Sequence, residues 1–234
     1  MMINLLLLGI LITLPNSTLS LAASVVRVSS VHSSDDVRAL ADLRFDEWIA
    51  EAYGEEGPSR GAFRIATAEI YQERKDGGAT AFLARLHDKA VGAAELSPIE
   101  LHGCETANER QGRNIYLYAT DVVTARTHRR MGVGASLMDS IEKKAVDLGA
   151  SQLLLHVEKE NTAALNFYRS PAMGYGDLSK EVSDGLDLDL LAENAGVKGQ
   201  LLLGKSLPPG RANQRSGGGG FGVLSGGTKK KPKR

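Results

Sequence analysis

Two clusters in this chain have residue types and spacings suited to chemistry. The first is Arg129-Arg130-Met131-Gly132-Val133-Gly134-Ala135, a basic turn with two glycines. A largely apolar run from Ile115 to Val123 precedes it, and Leu137, Met138, Ile141, Ala145 and Leu148 follow at helical spacing. A glycine pair that opens a helix after a strand lets backbone N–H groups approach a phosphate with no Cβ in the way. The positive end of the helix then favours the anion's charge. The second cluster is Asn161-Thr162-Ala163-Ala164-Leu165-Asn166-Phe167-Tyr168, followed by Gly174-Tyr175. Between the two, Leu153 to Val157 reads as a buried strand, and Asn161 can cap the helix after it.

Two common phosphate loops do not fit. The dinucleotide fingerprint needs a third glycine where Leu137 stands, and the nucleotide-hydrolase loop needs a Gly-Lys-Ser/Thr ending that is absent. What remains, R-x-x-G-x-G on a strand-to-helix turn, resembles the pyrophosphate loop of the GNAT superfamily of acetyl-CoA-dependent N-acetyltransferases, with Arg129, Gly132 and Gly134 at its defining positions. The Asn161–Tyr168 block with Gly174-Tyr175 is similar to the N-x-x-A-x-x-x-Y…G-[FY] block that ends the same domain. The resemblance covers most of Val26 to Leu207, and the strand before the basic turn is loosely similar to plastid-type GNAT proteins. It implies a mixed α/β fold: a mostly antiparallel sheet with flanking helices and one parallel pair of strands, splayed to hold the cofactor. It also implies acetyl-CoA as co-substrate, no metal, and a primary amine as acceptor, either a protein N-terminus, a lysine or a small amine. A binding module of the same fold that holds an acyl-CoA without turnover is the other function class.

Acetyl transfer requires a grip on CoA, a polarised thioester carbonyl, a neutral amine and a proton for the leaving thiolate. The amides of Gly132, Val133, Gly134 and Ala135 suit the pyrophosphate, and Arg129 or Arg130 adds a charge-assisted contact. By the resemblance, Val122, Val123 and Thr124 offer main-chain groups to the pantetheine arm and to the carbonyl oxygen; as side chains, the two valines read as core. Tyr168 is the expected general acid, since a phenol with a pKa of about 10 is protonated at neutral pH; a packed helix aromatic is the plainer reading. Asn161 contacts the cofactor, caps the helix, or does both. Asp121, Glu158 and Glu95 are the candidate bases, and Asp121 stands out because a carboxylate between Thr120 and Val122 in a central strand needs a reason. His156, inside an apolar strand, reads as a satisfied buried histidine, and no nearby residue has metal-ligand spacing. Cys104 lies in a polar loop far from these motifs, which leaves direct attack in a ternary complex as the expected mechanism.

Composition sets the frame. Apolar residues at 42% and charged residues at 24% are ordinary for a globular protein. Formal charge is zero, but seven bases and no acid follow Pro208, so residues 1–207 hold 21 bases against 28 acids, a net −7. An acidic body argues against specific nucleic-acid binding and suits amine substrates. A single cysteine excludes an intrachain disulfide. Leu5 to Leu14 followed by Pro15 and small residues up to Ala23 reads as a secretory signal, too short to cross a bilayer core of about 30 Å. Secretory entry, with a complex plastid as one destination, is the resulting expectation for location. Domain boundaries follow: a targeting segment at 1–23, one domain at 24–207, and a glycine-rich basic tail at 208–234. Oligomeric state is left open between monomer and homodimer.

The remaining elements position these clusters. Expected in order are a strand at Val25–Val28, a helix from Asp35 through Ile49, and a helix at Ala62–Arg74. Strands at Ala81–Leu86 and Ala90–Leu96, joined by His87-Asp88-Lys89, follow. Pro98 to Gly112 reads as a polar loop, Leu178 to Gly196 as an acidic stretch without clean period, and Val197 to Leu207 as a last strand.

Overall fold

The computed structural model describes residues 25–102 and 115–209; residues 1–23, read from sequence as a targeting segment, Cys104 and the residues beyond Pro209 lie outside them. Strand β1 (Arg27–Ser30) begins two residues later than the sequence suggests. Helix α1 (Ser34–Arg44) opens on a reciprocal cap in which Asp36 N donates to Ser33 Oγ and Ser33 N donates to Asp36 Oδ2, each at 3.1 Å. The expected single helix does not run evenly to Ile49. It widens at Phe45–Ile49 into one π-helical turn before a short α2 (Ala50–Tyr53). Such a turn shifts side chains around the helix axis, and here it carries Glu47 and Trp48, both of which reach the site described below.

Helix α3 (Arg60–Asp76), capped by Ser59, extends two residues beyond its expected limits at each end. Strands β2 (Thr80–Leu86) and β3 (Lys89–Pro98) form a hairpin whose two-residue turn, His87-Asp88, has φ of 48° and 65°. Both lie in the left-handed region that matches the twist of the flanking strands, and Lys89 pairs with Leu86 instead of joining the turn. Strand β4 (Ile115–Thr124), α4 (Val133–Asp147), β5 (Ala150–Val157) and α5 (Thr162–Tyr168) follow the order read from the motifs. The acidic stretch is not irregular. It forms α6 (Lys180–Asp184) and α7 (Leu188–Asn194), capped by Ser179 and Asp187, before β6 (Leu201–Ser206). Helices of one or two turns are too short to display a readable period.

The six strands lie in sequence order, antiparallel except for the parallel pair β4–β5, which α4 connects. One sheet face packs on α4, whose Leu137, Met138 and Ile141 are wholly buried against Leu117, Ala119, Leu153 and Leu155. Opposite, Tyr116, Tyr118 and Leu154 receive Val182, Leu186 and Leu191 from the α6–α7 region. No described helix is long and apolar enough to cross a membrane.

Two irregularities in β4 open the sheet. Its pairing with β5 runs only from Ile115 to Tyr118, opposite Ala150 to Leu154, after which the strands part. On its other edge Val123 pairs with Ala93 and Thr120 with Glu95, so Asp121 and Val122 together face one residue of β3. Asp121 takes φ 55° in this bulge, which turns the strand end and re-aims its side chains. Gly92 of β3 lets α4 approach closely: a Cβ there would lie 2.5 Å from Val133 Cγ1 and 3.2 Å from Val123 O. Gly92→Ala is therefore expected to cost about 1–3 kcal/mol in chemical denaturation through overpacking, and an unchanged midpoint would show that α4 is not held this tightly.

Candidate functional site

Where β4 and β5 separate, a cleft of about 370 Å³ opens, lined by Tyr118, Asp121, Val122, His156, Glu158, Asn161 and Tyr168, with Trp48, Arg74 and His102 at one side. The sheet supplies its walls and α5 its far rim.

At the start of α4, Gly132 is the N-cap in left-handed conformation (φ 79°) and no side chain caps the first turn. The first helical bond runs from Ser136 N to Gly132 O, so the Val133, Gly134 and Ala135 amides have no partner within the helix. Gly134 sits by the Phe167 ring, which an added Cβ would approach to 3.5 Å; the start of α4 thus lies beside α5. The two arginines are not equivalent. Arg129 folds over the end of β4, its Nε donating to Thr124 O at 3.4 Å and its Nη2 lying 3.5 Å from Glu47 Oε2. Glu47 also accepts from Arg126 N at 3.0 Å, while its Oε2 is buried with no aligned hydrogen bond. Arg130 is exposed, with φ 64°, and makes no ion pair among the described residues.

Along β4, Val123 is buried in the core beneath α1, whereas Val122 is partly buried and lines the cleft. Past Tyr118 the strand has no ladder partner on the β5 side, so main-chain groups leading to Thr124 face the opening. Tyr168 projects from α5 with 7% of its surface exposed, edge-on to Phe167 and Tyr175 at 5.0 and 5.6 Å. Its hydroxyl has no hydrogen-bond partner among the described residues, and burial holds the phenol well above its usual pKa. Asn161 does cap α5, accepting from Ala164 N at 3.1 Å, and it also lines the cleft.

The three candidate carboxylates fare differently. Glu95, 3% exposed, and Asp121 are drawn together by two guanidinium groups. Arg74 Nη1 donates to Glu95 Oε1 at 3.0 Å and to Asp121 Oδ2 at 3.2 Å, and Arg44 Nη2 lies 3.0 Å from Asp121 Oδ2. Arg44 is badly aligned for hydrogen bonding and rests its guanidinium 5.5 Å from the Trp48 ring centre. Burial pushes the Glu95 carboxyl up, opposed by Arg74 and then by Arg44. Glu158 stands apart, exposed at the mouth.

A further pair stands at the same wall. Tyr118 Oη lies 2.5 Å from His156 Nδ1, and the two rings meet edge-on at 5.6 Å. His102 packs on Tyr118 from another side at 4.8 Å and contacts Ser97 Oγ at 3.1 Å through Nε2. Burial, and secondarily His102, pulls His156 down to about 4, so its imidazole is neutral at pH 7. The sequence reading of His156 as a satisfied histidine is half of the truth, because it is hydrogen-bonded and also faces the cleft. The missing signal is register: Tyr118 pairs with Leu154, which places the residues at 118 and 156 on one sheet face where the strands begin to part. No local signal marks Arg74, because its partners lie 21 and 47 residues away. Among the described residues no group of His, Cys, Asp and Glu is arranged to hold a metal ion.

Comparison with known proteins bears on the fold and the family. The thialysine N-epsilon-acetyltransferase of Bos taurus is 36% identical over 70 residues, 30% of this chain, and the match spans only 39% of that relative's length. A phosphinothricin acetyltransferase from Sinorhizobium meliloti, solved with AcCoA, superposes with a TM-score of 0.53 at 14% identity, covering 80% of this chain and 91% of that one. The ribosomal-protein-alanine N-acetyltransferase from Brucella melitensis superposes at 0.51 and 17% identity, covering 77% and 99%. At these identities the structures speak for the fold alone. The model of the acetyltransferase (GNAT) family matches residues 40–175, more than half of the sequence, and the chain belongs to that family.

Proposed function

We propose that this protein is an acetyl-CoA-dependent N-acetyltransferase that passes an acetyl group to a primary amine by direct attack in a ternary complex. A protein N-terminus or lysine is the favoured acceptor over a small amine. The observation that carries the reading is the cleft itself, with bare amides of a helix N-terminus beside it and a buried, unpartnered phenol on its rim.

Acetyl-CoA supplies the acyl group and a thiolate leaving group; this chain's residues bind, orient and move protons. The amides from Gly132 to Ala135 take the diphosphate at the positive end of α4. Arg130 is free to add charge, and Arg129 can do so once it leaves Glu47. Main-chain groups from Val122 to Thr124 hold the amide-rich arm, and an N–H there polarises the carbonyl. Asn161 fixes the start of α5 and so the place of Tyr168. Tyr168 gives its proton to sulfur as the C–S bond breaks and the N–C bond forms. The burial that raises the phenol's pKa also raises the proton affinity of a thiolate set beside it, so transfer is not blocked.

For the base, His156 has the best position. The tautomer that donates Nδ1–H to the Tyr118 oxygen leaves the Nε2 lone pair to take the amine's proton. Glu158, exposed at the mouth, offers the route from there to solvent. Asp121, read from sequence as a base, is bound to two arginines and serves instead to orient Arg44 and Arg74.

Two outcomes test this reading. Tyr168→Phe should lower kcat about 10²- to 10⁴-fold, the usual worth of a positioned acid, with CoA affinity by calorimetry unchanged; undiminished turnover would remove Tyr168 from the mechanism. His156 titrates in an unfolded chain near 6.5 but only near 4 when folded. As pH falls through that window the unfolded state takes up a proton that the folded state refuses, so this histidine's contribution to stability is lost on acidification. Glu95, whose carboxyl is raised by burial, works in the opposite sense, so the direct measurement is an NMR titration of the His156 ring. A midpoint near 4 is expected, and one near 6.5 would mean the imidazole is solvated and not held against Tyr118.

A further inference from the structure

One charged group in the cleft is only half used. Arg74, in the last turn of α3, lines the opening with 37% of its side chain exposed. It is fixed through a single nitrogen, Nη1, which serves both Glu95 and Asp121. Its Nε and Nη2 make no hydrogen bond among the described residues. A guanidinium is a rigid plane with five donors, so fastening one nitrogen to two carboxylates orients the rest in advance. Such a pre-oriented donor edge loses little entropy on binding an oxygen acceptor.

The charge around it points the same way. Glu95 and Asp121 are already answered by Arg44 and Arg74, which leaves this wall with no spare negative charge. Trp48, Tyr118, Ala195 and Val197 line the rest of that wall. A second cation held near Arg74 would meet a fixed guanidinium, because the remaining carboxylate of the cleft lining, Glu158, stands apart at the mouth. A carbonyl or carboxylate oxygen would find unused N–H donors.

Resting on the acetyl-transfer reading above, we infer that Arg74 selects the acceptor. It favours amines whose adjoining carbon bears a carbonyl or carboxylate, as in a peptide N-terminus or a free α-amino acid, over simple alkylamines and polyamines. Arg74 is thus a specificity residue, and its role in the buried charge cluster is separate from that of its free edge.

The test compares kcat/KM for an alanine-initiated tripeptide, alaninamide, alanine, isopropylamine and spermidine. Rates are compared per neutral amine, because a neighbouring carbonyl lowers an amine's pKa, to about 8 for a peptide N-terminus against about 10.4 for an alkylamine. Isopropylamine is alanine with a methyl group in place of the carboxylate, so on that scale the pair isolates the oxygen. At least one of the three oxygen-bearing acceptors should exceed isopropylamine tenfold or more, and their ranking tells a peptide from a free amino acid. Arg74→Lys keeps a cation near Glu95 and Asp121 but lacks the planar second edge. It should reduce that preference, the ratio of kcat/KM for the oxygen-bearing acceptor to that for isopropylamine, about tenfold, the scale of a lost charge-assisted hydrogen bond. If Arg74→Lys does not fold, the Arg74→Gln, Glu95→Gln pair removes both charges together and should show the same loss of preference. Equal use of all five amines, or a preference untouched by either variant, overturns the assignment while leaving acetyl transfer intact. Absence of turnover with every amine overturns the transfer reading and this inference with it.

Discussion

Strand pairing that stops after Tyr118 and Leu154 is the constraint on which the rest of this structure depends. A parallel pair inside a sheet is normally buried on both faces and closed along its length. Here the bulge at Asp121 turns β4 while β5 continues straight into pairing with β6. The gap leaves main-chain groups without ladder partners, a cost unless something extended and amide-rich lies between the strands. It also sets the start of α4 on one side of the opening and α5 on the other, with Gly134 beside the Phe167 ring at the join. The residues proposed as diphosphate seat, carbonyl contact and acid are thus all placed by one break in one ladder.

Charge burial is the second organising feature. Glu95 at 3% exposure would be costly alone. Arg44 and Arg74 meet it, and both also reach Asp121, whose position depends on the bulge. Buried ion clusters of this kind contribute little net stability but penalise any arrangement that leaves one member unpaired. The cluster therefore locks α1, α3, β3 and β4 into one geometry at the acceptor end. The π-helical turn adds a second link, with Trp48 by Arg44 in the cleft and Glu47 against Arg126 and Arg129 on the phosphate turn. A single turn of backbone thereby touches both halves of the site.

Much of this was legible in the chain. The apolar spacing after Gly134 located α4, the two motifs placed Gly132–Ala135 at its opening and Asn161 and Tyr168 around α5, and the family resemblance implied the parallel pair. What escaped has common physical causes. Asp121 in a left-handed conformation carries no glycine to announce a bulge, although aspartate tolerates that region better than most residues. The π-helical turn satisfies contacts with distant segments, and nothing local in Phe45-Asp46-Glu47-Trp48-Ile49 demands it. Tyr118 and His156 meet only because two strands 38 residues apart share a register. In α6 and α7 the helices are set by their caps and by Val182 and Leu191 seated on Tyr116 and Leu154, at lengths that hide periodicity.

We propose that the exposed amides at the opening of α4 seat the diphosphate of the cofactor. Amide-resolved NMR during addition of CoA to the intact protein should then show saturable shifts concentrated at Gly132, Val133, Gly134 and Ala135, with smaller ones along Val122 to Thr124. Saturable binding that leaves those amides unmoved, or no binding at millimolar CoA, would contradict it.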